Sequence, residues 1–284
     1  MRILILGGDG MLGHRLYRHL RSTHDASVTL RQPLDAYAGQ GFDEANAYPA
    51  VDARSLDSIE RAIADHRPQA VVNAVGIVKQ RDDSNDAIAA IEVNSLLPHR
   101  LAMLCRRYEA RLIHVSTDCV FSGRRGHYNE DDLPDASDVY GRSKLLGEVY
   151  EAPALTLRTS MIGRELARKS SLLEWFLAQR GPVRGFRNAI FSGFTTAELS
   201  RIIEMLIVSH PSAAGLYHVS SEPISKYDLL CLIRDKLGLQ TVIEQDNTFH
   251  CDRSLDSTRF RQRFGYEPPS WDAMARELAH EVRA

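Results

Sequence analysis

Tyr140 and Lys144 stand four residues apart in the stretch DVYGRSKLLGE, a spacing that puts both on one face of a helix. A cation beside a phenol favours the phenolate. Lys144 is therefore expected to lower Tyr140 from the ordinary tyrosine value of about 10 toward the range of a proton donor at neutral pH. Just upstream, the apolar run RLIHVST ends on Ser116 and Thr117, whose hydroxyls can hold a carbonyl oxygen for that donor. Donor, cation and hydroxyl are the groups needed to add or remove hydride at a sugar or alcohol carbon. A Tyr-x-x-x-Lys pair by itself equally describes a half-buried tyrosine beside a solvated lysine, so the elements around it decide.

The chain opens on such an element. Arg2 to Leu6 reads as a short buried parallel strand of continuous Ile and Leu. Gly7, Gly10 and Gly13 follow in G-x-x-G-x-x-G spacing and lead into a helix with Leu12, Leu16 and Leu20 on one face. Glycines there allow a tight turn, close backbone approach to a pyrophosphate, and close helix-on-strand packing. The free N–H groups at the helix start, on Met11, Leu12 and Gly13, attract the negative charge of a dinucleotide. Arg31, at the end of the next strand (Ser27 to Leu30), stands where an NAD site carries an acid and so suits the 2′-phosphate of NADP. Asp52 is a candidate for the adenine rim. Ala74, Val75 and Gly76 end the strand Ala70 to Val75, where a doubly wound sheet meets its ligand. Asn94 is assigned to this cofactor set as a buried brace for the active-site strand.

Composition excludes other classes. The chain has 284 residues and a formal net charge of -2, which favours neither nucleic acid nor an anionic membrane as partner. No apolar run approaches a membrane span, and MRILILGG lacks a signal-peptide layout, so a cytoplasmic protein is expected. Cys105, Cys119, Cys231 and Cys251 show no C-x-x-C spacing, and reduced thiols are expected. The eleven histidines fall in no ligand-like pairs, so no metal is assigned.

Strand and helix signals alternate through residue 160, which predicts an α/β fold: a Rossmann-type doubly wound parallel sheet. The helices expected there are Ser55 to His66, capped by Ser55, and Ala87 to Tyr108, with Ile91, Leu101 and Leu104 in the core. Further strands are expected at Arg111 to Ser116 and Ala154 to Arg158, with a strand end at Val51-Asp52 after a loop over 32–48. Residues 1–160 are read as the NAD(P)-binding domain and 161–284 as a smaller C-terminal substrate-binding lobe that returns some segments to it. In the lobe the expected elements are helices Ser171 to Gln179, Thr195 to Val208, Ser225 to Leu237 (capped by Ser225) and Trp271 to Val282, and a short strand Gly215 to Ser220. Loops over 184–194 and 251–261 are expected to roof the substrate cleft at the sheet's carboxyl edge.

Taken together, GGDGMLG, VNAVG and VSTDCVFSG…Y-x-E-x-D-x-P…YGRSKLLGE resemble the extended short-chain dehydrogenase/reductases, closest to the dTDP-4-dehydrorhamnose reductase family. The resemblance runs over the whole chain and is strongest to about residue 163. It implies that Tyr140 donates a proton to the substrate carbonyl, that Lys144 binds the nicotinamide ribose, and that Thr117 hydrogen-bonds the substrate oxygen. It also implies NADPH, or NADH, as the hydride donor, and a nucleotide-linked 6-deoxysugar bearing a 4-keto group as substrate, in surface polysaccharide synthesis. The related 4,6-dehydratases carry an Asp-Glu pair after the strand-end threonine. Here Asp118 is followed by Cys119, a poor carboxylic acid, which argues against dehydration. Two alternatives stay open: a 4-epimerase holding NAD, and a regulatory subunit that binds dinucleotide without turnover, as in methionine adenosyltransferase. Ser116, Asp118, Cys119, Trp175 and Arg187 are candidate substrate contacts, and a homodimer is a compatible assembly.

Overall fold

The computed structural model describes residues 1–78, 86–166 and 169–283. The chain runs β1 (Arg2–Leu6), α1 (Met11–Leu20), β2 (Asp25–Thr29), β3 (Ala47–Tyr48), α2 (Leu56–His66), β4 (Ala70–Asn73), α3 (Ala87–Ala90), a π-helical segment (Ile91–Leu96) and α4 (Leu97–Arg107). Next come β5 (Arg111–Thr117), α5 (Val139–Leu146), β6 (Ala154–Thr159), β7 (Met161–Ile162), α6 (Leu172–Leu177), β8 (Val183–Phe191), β9 (Phe194–Thr195) and α7 (Thr196–Val208). The chain closes with β10 (Gly215–His218), β11 (Ile224–Ser225), α8 (Lys226–Leu237), β12 (Ile243–Asp252), α9 (Thr258–Phe264) and α10 (Trp271–Arg283).

A seven-stranded sheet in the order β10-β6-β5-β4-β1-β2-β3 forms the centre of the fold. The pairs β1–β2, β1–β4, β2–β3 and β4–β5 are all parallel. This is the Rossmann-type arrangement expected from the alternating pattern. Parallel strands are covered on both faces, so they read as near-continuous apolar runs; all seven residues of β5 are buried. Leu4, Leu6, Val71 and Leu112 pack with Ile59 and Ile63 of α2 and Leu101 and Leu104 of α4. Each such side chain contributes roughly 1.5–3 kcal/mol on burial.

The chain divides into two compact units. The first comprises Met1–Ser116, Asp138–Leu157 and Ser200–Leu216, and the second Thr117–Ser137, Arg158–Leu199 and Tyr217–Ala284. In the second, β8 pairs in parallel with β12 and antiparallel with β11. Leu173, Phe176, Val183, Phe191, Leu229, Ile233 and Leu278 make its core.

Several expectations are corrected. The segments expected as loops over 184–194 and 251–261 lie largely in the long strands β8 and β12 and in α9. The short strand falls at Ala47–Tyr48 rather than at Val51-Asp52. Ser55 precedes α2 but its side chain makes no capping bond, whereas Ser225 accepts from the Asp228 N–H at 3.0 Å as expected of a cap. The helix expected from Ala87 to Tyr108 is interrupted by the π-helical segment. That extra residue per turn rotates the apolar stripe, so Ile91 is 52% exposed while Val93 and Asn94 turn inward.

Candidate active site

Within the first unit the glycine turn is built by exclusion. A Cβ on Gly13 would lie 1.9 Å from the Gly7 carbonyl oxygen, so α1 can approach the turn only with glycine there. The turn is tied to β2 by Gly7 N–H to Thr29 Oγ1 (3.1 Å) and Gly8 N–H to the Thr29 carbonyl (2.8 Å). Gly10 occupies the N-cap of α1, no side chain caps that end, and its first turn contains no acid. The N–H groups of Met11, Leu12 and Gly13 therefore have no partner within the helix. Met11 is half-buried and the Leu12 side chain is core, so their free polar groups at this end of the helix are backbone N–H groups. Asp9, inside the turn, accepts a hydrogen bond from the Tyr37 hydroxyl at 2.8 Å. Burial and that bond push Tyr37 up to about 12.

Around this cradle the other cofactor candidates have distinct settings. Arg31 is exposed just past β2. The Asp52 carboxylate is taken up by Arg54, at 3.1 Å, on its own loop. Ala74, Val75 and Gly76 follow β4 and are half-buried, and Val75 lies against Gly7. Asn94, only 1% exposed, accepts from the Ile77 N–H at 2.9 Å and donates to the Ile77 carbonyl at 3.0 Å and to Ser143 Oγ at 3.1 Å. Its amide thus joins the segment after β4 to α5, and every polar atom of the side chain is engaged.

Helix α5 begins at Asp138, whose side chain accepts from the Gly141 N–H at 2.9 Å. It ends at Gly147, where a Cβ would lie 1.9 Å from the Asn94 carbonyl. Tyr140 is half-buried on this helix. Lys144, one turn on, is 4% exposed and donates from Nζ to the Val115 carbonyl of β5 at 2.7 Å. Desolvation pulls its ammonium down from 10.5 to about 8, with the nearby Glu148 carboxylate opposing. His114, fully buried on β5, accepts at Nδ1 from the Asn73 amide at 3.1 Å; burial and the Lys144 charge hold it well below its ordinary range. Ser116 donates from Oγ to Glu148 Oε1 at 2.7 Å, so its hydroxyl is engaged within the protein.

In the second unit, Thr117 Oγ1 accepts from the Cys119 N–H at 3.1 Å and donates to Asp118 Oδ1 at 3.2 Å. Burial raises the Asp118 carboxyl and pushes the Cys119 thiol up to about 12, so that thiol stays protonated at neutral pH. Trp175, on α6, is 40% exposed. Arg187, on β8, pairs with Asp228 and lies over the Tyr227 ring, 5.7 Å from its centroid. Glu148 follows Lys144 by the same four-residue spacing that separates Tyr140 from Lys144, but a glutamate after a helix reads in the sequence as solvated. Among the described residues no cluster of His, Cys, Asp and Glu could hold a metal ion, and no helix is long and apolar enough to cross a membrane.

A Rossmann-type sheet, a glycine turn at an uncapped helix start and a Tyr-x-x-x-Lys pair define the class of short-chain dehydrogenase/reductases. The family described as "RmlD substrate binding domain" matches residues 1–284, so the chain belongs to that family of extended short-chain dehydrogenase/reductases, a family of NAD(P)-dependent oxidoreductases. The chain is 27% identical to a dTDP-4-dehydrorhamnose reductase of Aggregatibacter actinomycetemcomitans, over 98% of both chains. It is 31% identical to a probable dTDP-4,6-dihydroxy-2-methyloxan-3-one 4-ketoreductase of Streptomyces antibioticus, over 78% of this chain and 72% of that one. Its fold matches a crystal structure of dTDP-4-dehydrorhamnose reductase from Bacillus anthracis in complex with NADP, with a TM-score of 0.79, 22% identity and 99% of each chain covered.

Proposed function

We propose that this chain reduces the 4-keto group of a nucleotide-linked 6-deoxysugar, using NADPH or NADH, in the synthesis of a surface polysaccharide. The observation that carries the reading is the buried Lys144, held on the Val115 carbonyl at 2.7 Å one helical turn from Tyr140. A buried ammonium costs free energy unless it is paired, and its place beside a tyrosine supports a proton-donating role. The Aggregatibacter reductase and the probable Streptomyces 4-ketoreductase, both named for dTDP-linked substrates, support the substrate class.

The nicotinamide, when bound, supplies hydride to the sugar carbonyl carbon. Tyr140 gives its proton to the carbonyl oxygen, and Lys144 favours the resulting phenolate and holds the nicotinamide ribose. Thr117, two residues beyond Val115 on the same strand, hydrogen-bonds the substrate oxygen. The glycine turn fits a pyrophosphate, because its helix N–H groups have no helical partner and a side chain at Gly13 would collide with the turn. Arg31, exposed past β2, would take the 2′-phosphate, and Asp52 and Ala74 to Gly76 would flank the adenosine half. Cys119 stays a thiol and gives no second carboxylate for water elimination. Helices α3, α4 and α5 leave Ile88, Met103 and Leu146 exposed, which supports self-association as a homodimer.

The test is NADPH oxidation by purified protein across a panel of nucleotide-linked 4-ketosugars. Turnover of at least one, lost in Tyr140→Phe, is the expected result. NADPH binding with no oxidation by wild type on any of them would contradict the reading.

A further inference from the structure

The buried carboxylate of Glu148 has no place in the mechanism above, yet it sits one turn beyond Lys144 and is 3% exposed. Carboxylates are rarely buried unless paired. Its Oε1 accepts from Ser116 Oγ at 2.7 Å and its Oε2 from the Tyr150 hydroxyl at 3.1 Å. Val115 and Ser116, successive residues of β5, are thus bound to Lys144 and to Glu148, one each. Strand and helix end are laced together where the Tyr140–Lys144 pair is carried.

We propose that Glu148 is a positioning residue for that pair: its carboxylate fixes Ser116 against the end of α5 and supplies the negative charge that keeps the Lys144 ammonium protonated. The role in catalysis rests on the reductase reading; the electrostatic coupling does not. Other titratable groups around Lys144 cannot substitute for it. Tyr140 lies on the same helix and Tyr150 just after it, and both are phenols rather than carboxylates. His114, on β5, stays neutral because burial and the Lys144 charge suppress its protonation. His99, on α4, bonds through Nε2 to the Leu146 carbonyl and brings no negative charge. Burial alone pulls Lys144 down, and Glu148 opposes that pull. Removing the charge must therefore lower the pH at which Lys144 loses its proton.

Protein labelled with 13C-lysine contains only five lysines, and Lys144→Met assigns the resonance of interest. In Glu148→Gln, which keeps an oxygen to accept from Ser116, the Lys144 midpoint is expected to fall by about one pH unit or more. Glu148→Asp, which keeps the charge, should hold the midpoint within about half a unit of wild type. The alkaline limb of kcat on a 4-ketosugar should move down by the same interval in Glu148→Gln. At pH 6 its rate should recover to within about two-fold of wild type, with KM for NADPH unchanged. An unmoved Lys144 midpoint in Glu148→Gln overturns the proposal, as does a rate loss of equal size at every pH. If the midpoint moves while wild type reduces no ketosugar, the coupling stands and the reductase reading falls.

Discussion

Two regions, β5–α5 in the first unit and the β8 rim in the second, place their charges differently. In the first, a lysine and a glutamate are buried beside a tyrosine, Lys144 held by the Val115 carbonyl and Glu148 by the Ser116 hydroxyl. In the second, the Arg187–Asp228 pair that joins β8 to α8 is half-exposed on both sides. Exposed pairs of this kind contribute about 0–1 kcal/mol. Buried ones change protonation and so can do chemistry, at a cost in stability. The contrast predicts that substitutions at β5–α5 alter rate far more than stability, and that those at the β8 rim alter little of either.

The largest expected effect is at Tyr140. Tyr140→Phe should lower the rate of NADPH oxidation by roughly 100- to 10,000-fold, while cofactor binding by fluorescence titration is retained. Lys144→Met should cost about 100-fold in rate and yet yield a protein at least as stable as wild type. Lys144 titrates at about 8 in the fold rather than at 10.5, a difference of roughly 3 kcal/mol. The sign follows from proton binding. Between those two values the unfolded chain holds the proton and the folded chain does not, so wild-type stability rises with pH across that window. Below about 8 the full cost of the buried charge is present. Urea midpoints should therefore favour Lys144→Met at pH 7, with the gap narrowing by pH 10.

Gly13→Ala ranks next. The added methyl meets the Gly7 carbonyl, which should cost about 1–3 kcal/mol in thermal or urea unfolding and abolish measurable dinucleotide binding. The smallest effect is expected at Arg187→Ala. Loss of its half-exposed pair with Asp228 should change stability by less than about 1 kcal/mol. A rise in KM for the sugar there would blur the division, because it would give a rim arginine a part in substrate binding.

How much was legible before the structure follows the same division. Strands covered on both faces announce themselves as apolar runs, which is why RILIL, AVVN and RLIHVST were readable as buried parallel strands. The glycine spacing and the Tyr140–Lys144 spacing were readable because local geometry sets them. IEQDNTFHCD of β12 was not, since its strand pairing with β8 is long-range and its exposed residues resemble a loop. The π-helical segment was hidden as well, because a helical period gives no sign of one inserted residue. Glu148 was overlooked for a different reason: a glutamate after a helix reads as solvated, and only its burial against Ser116 and Tyr150 marks it.

The central claim is that hydride passes to the sugar carbonyl while Tyr140 supplies the proton. The direct measurement uses NADPH carrying deuterium at the transferable position and a nucleotide-linked 4-ketosugar, with the product read by NMR. One deuterium on the sugar's carbon 4 for each NADPH consumed is the predicted result. The ketosugar recovered unreduced, with no deuterium on carbon 4 and no net consumption of NADPH, would contradict it; inversion at carbon 4 of the matching 4-hydroxysugar would then make the chain an epimerase.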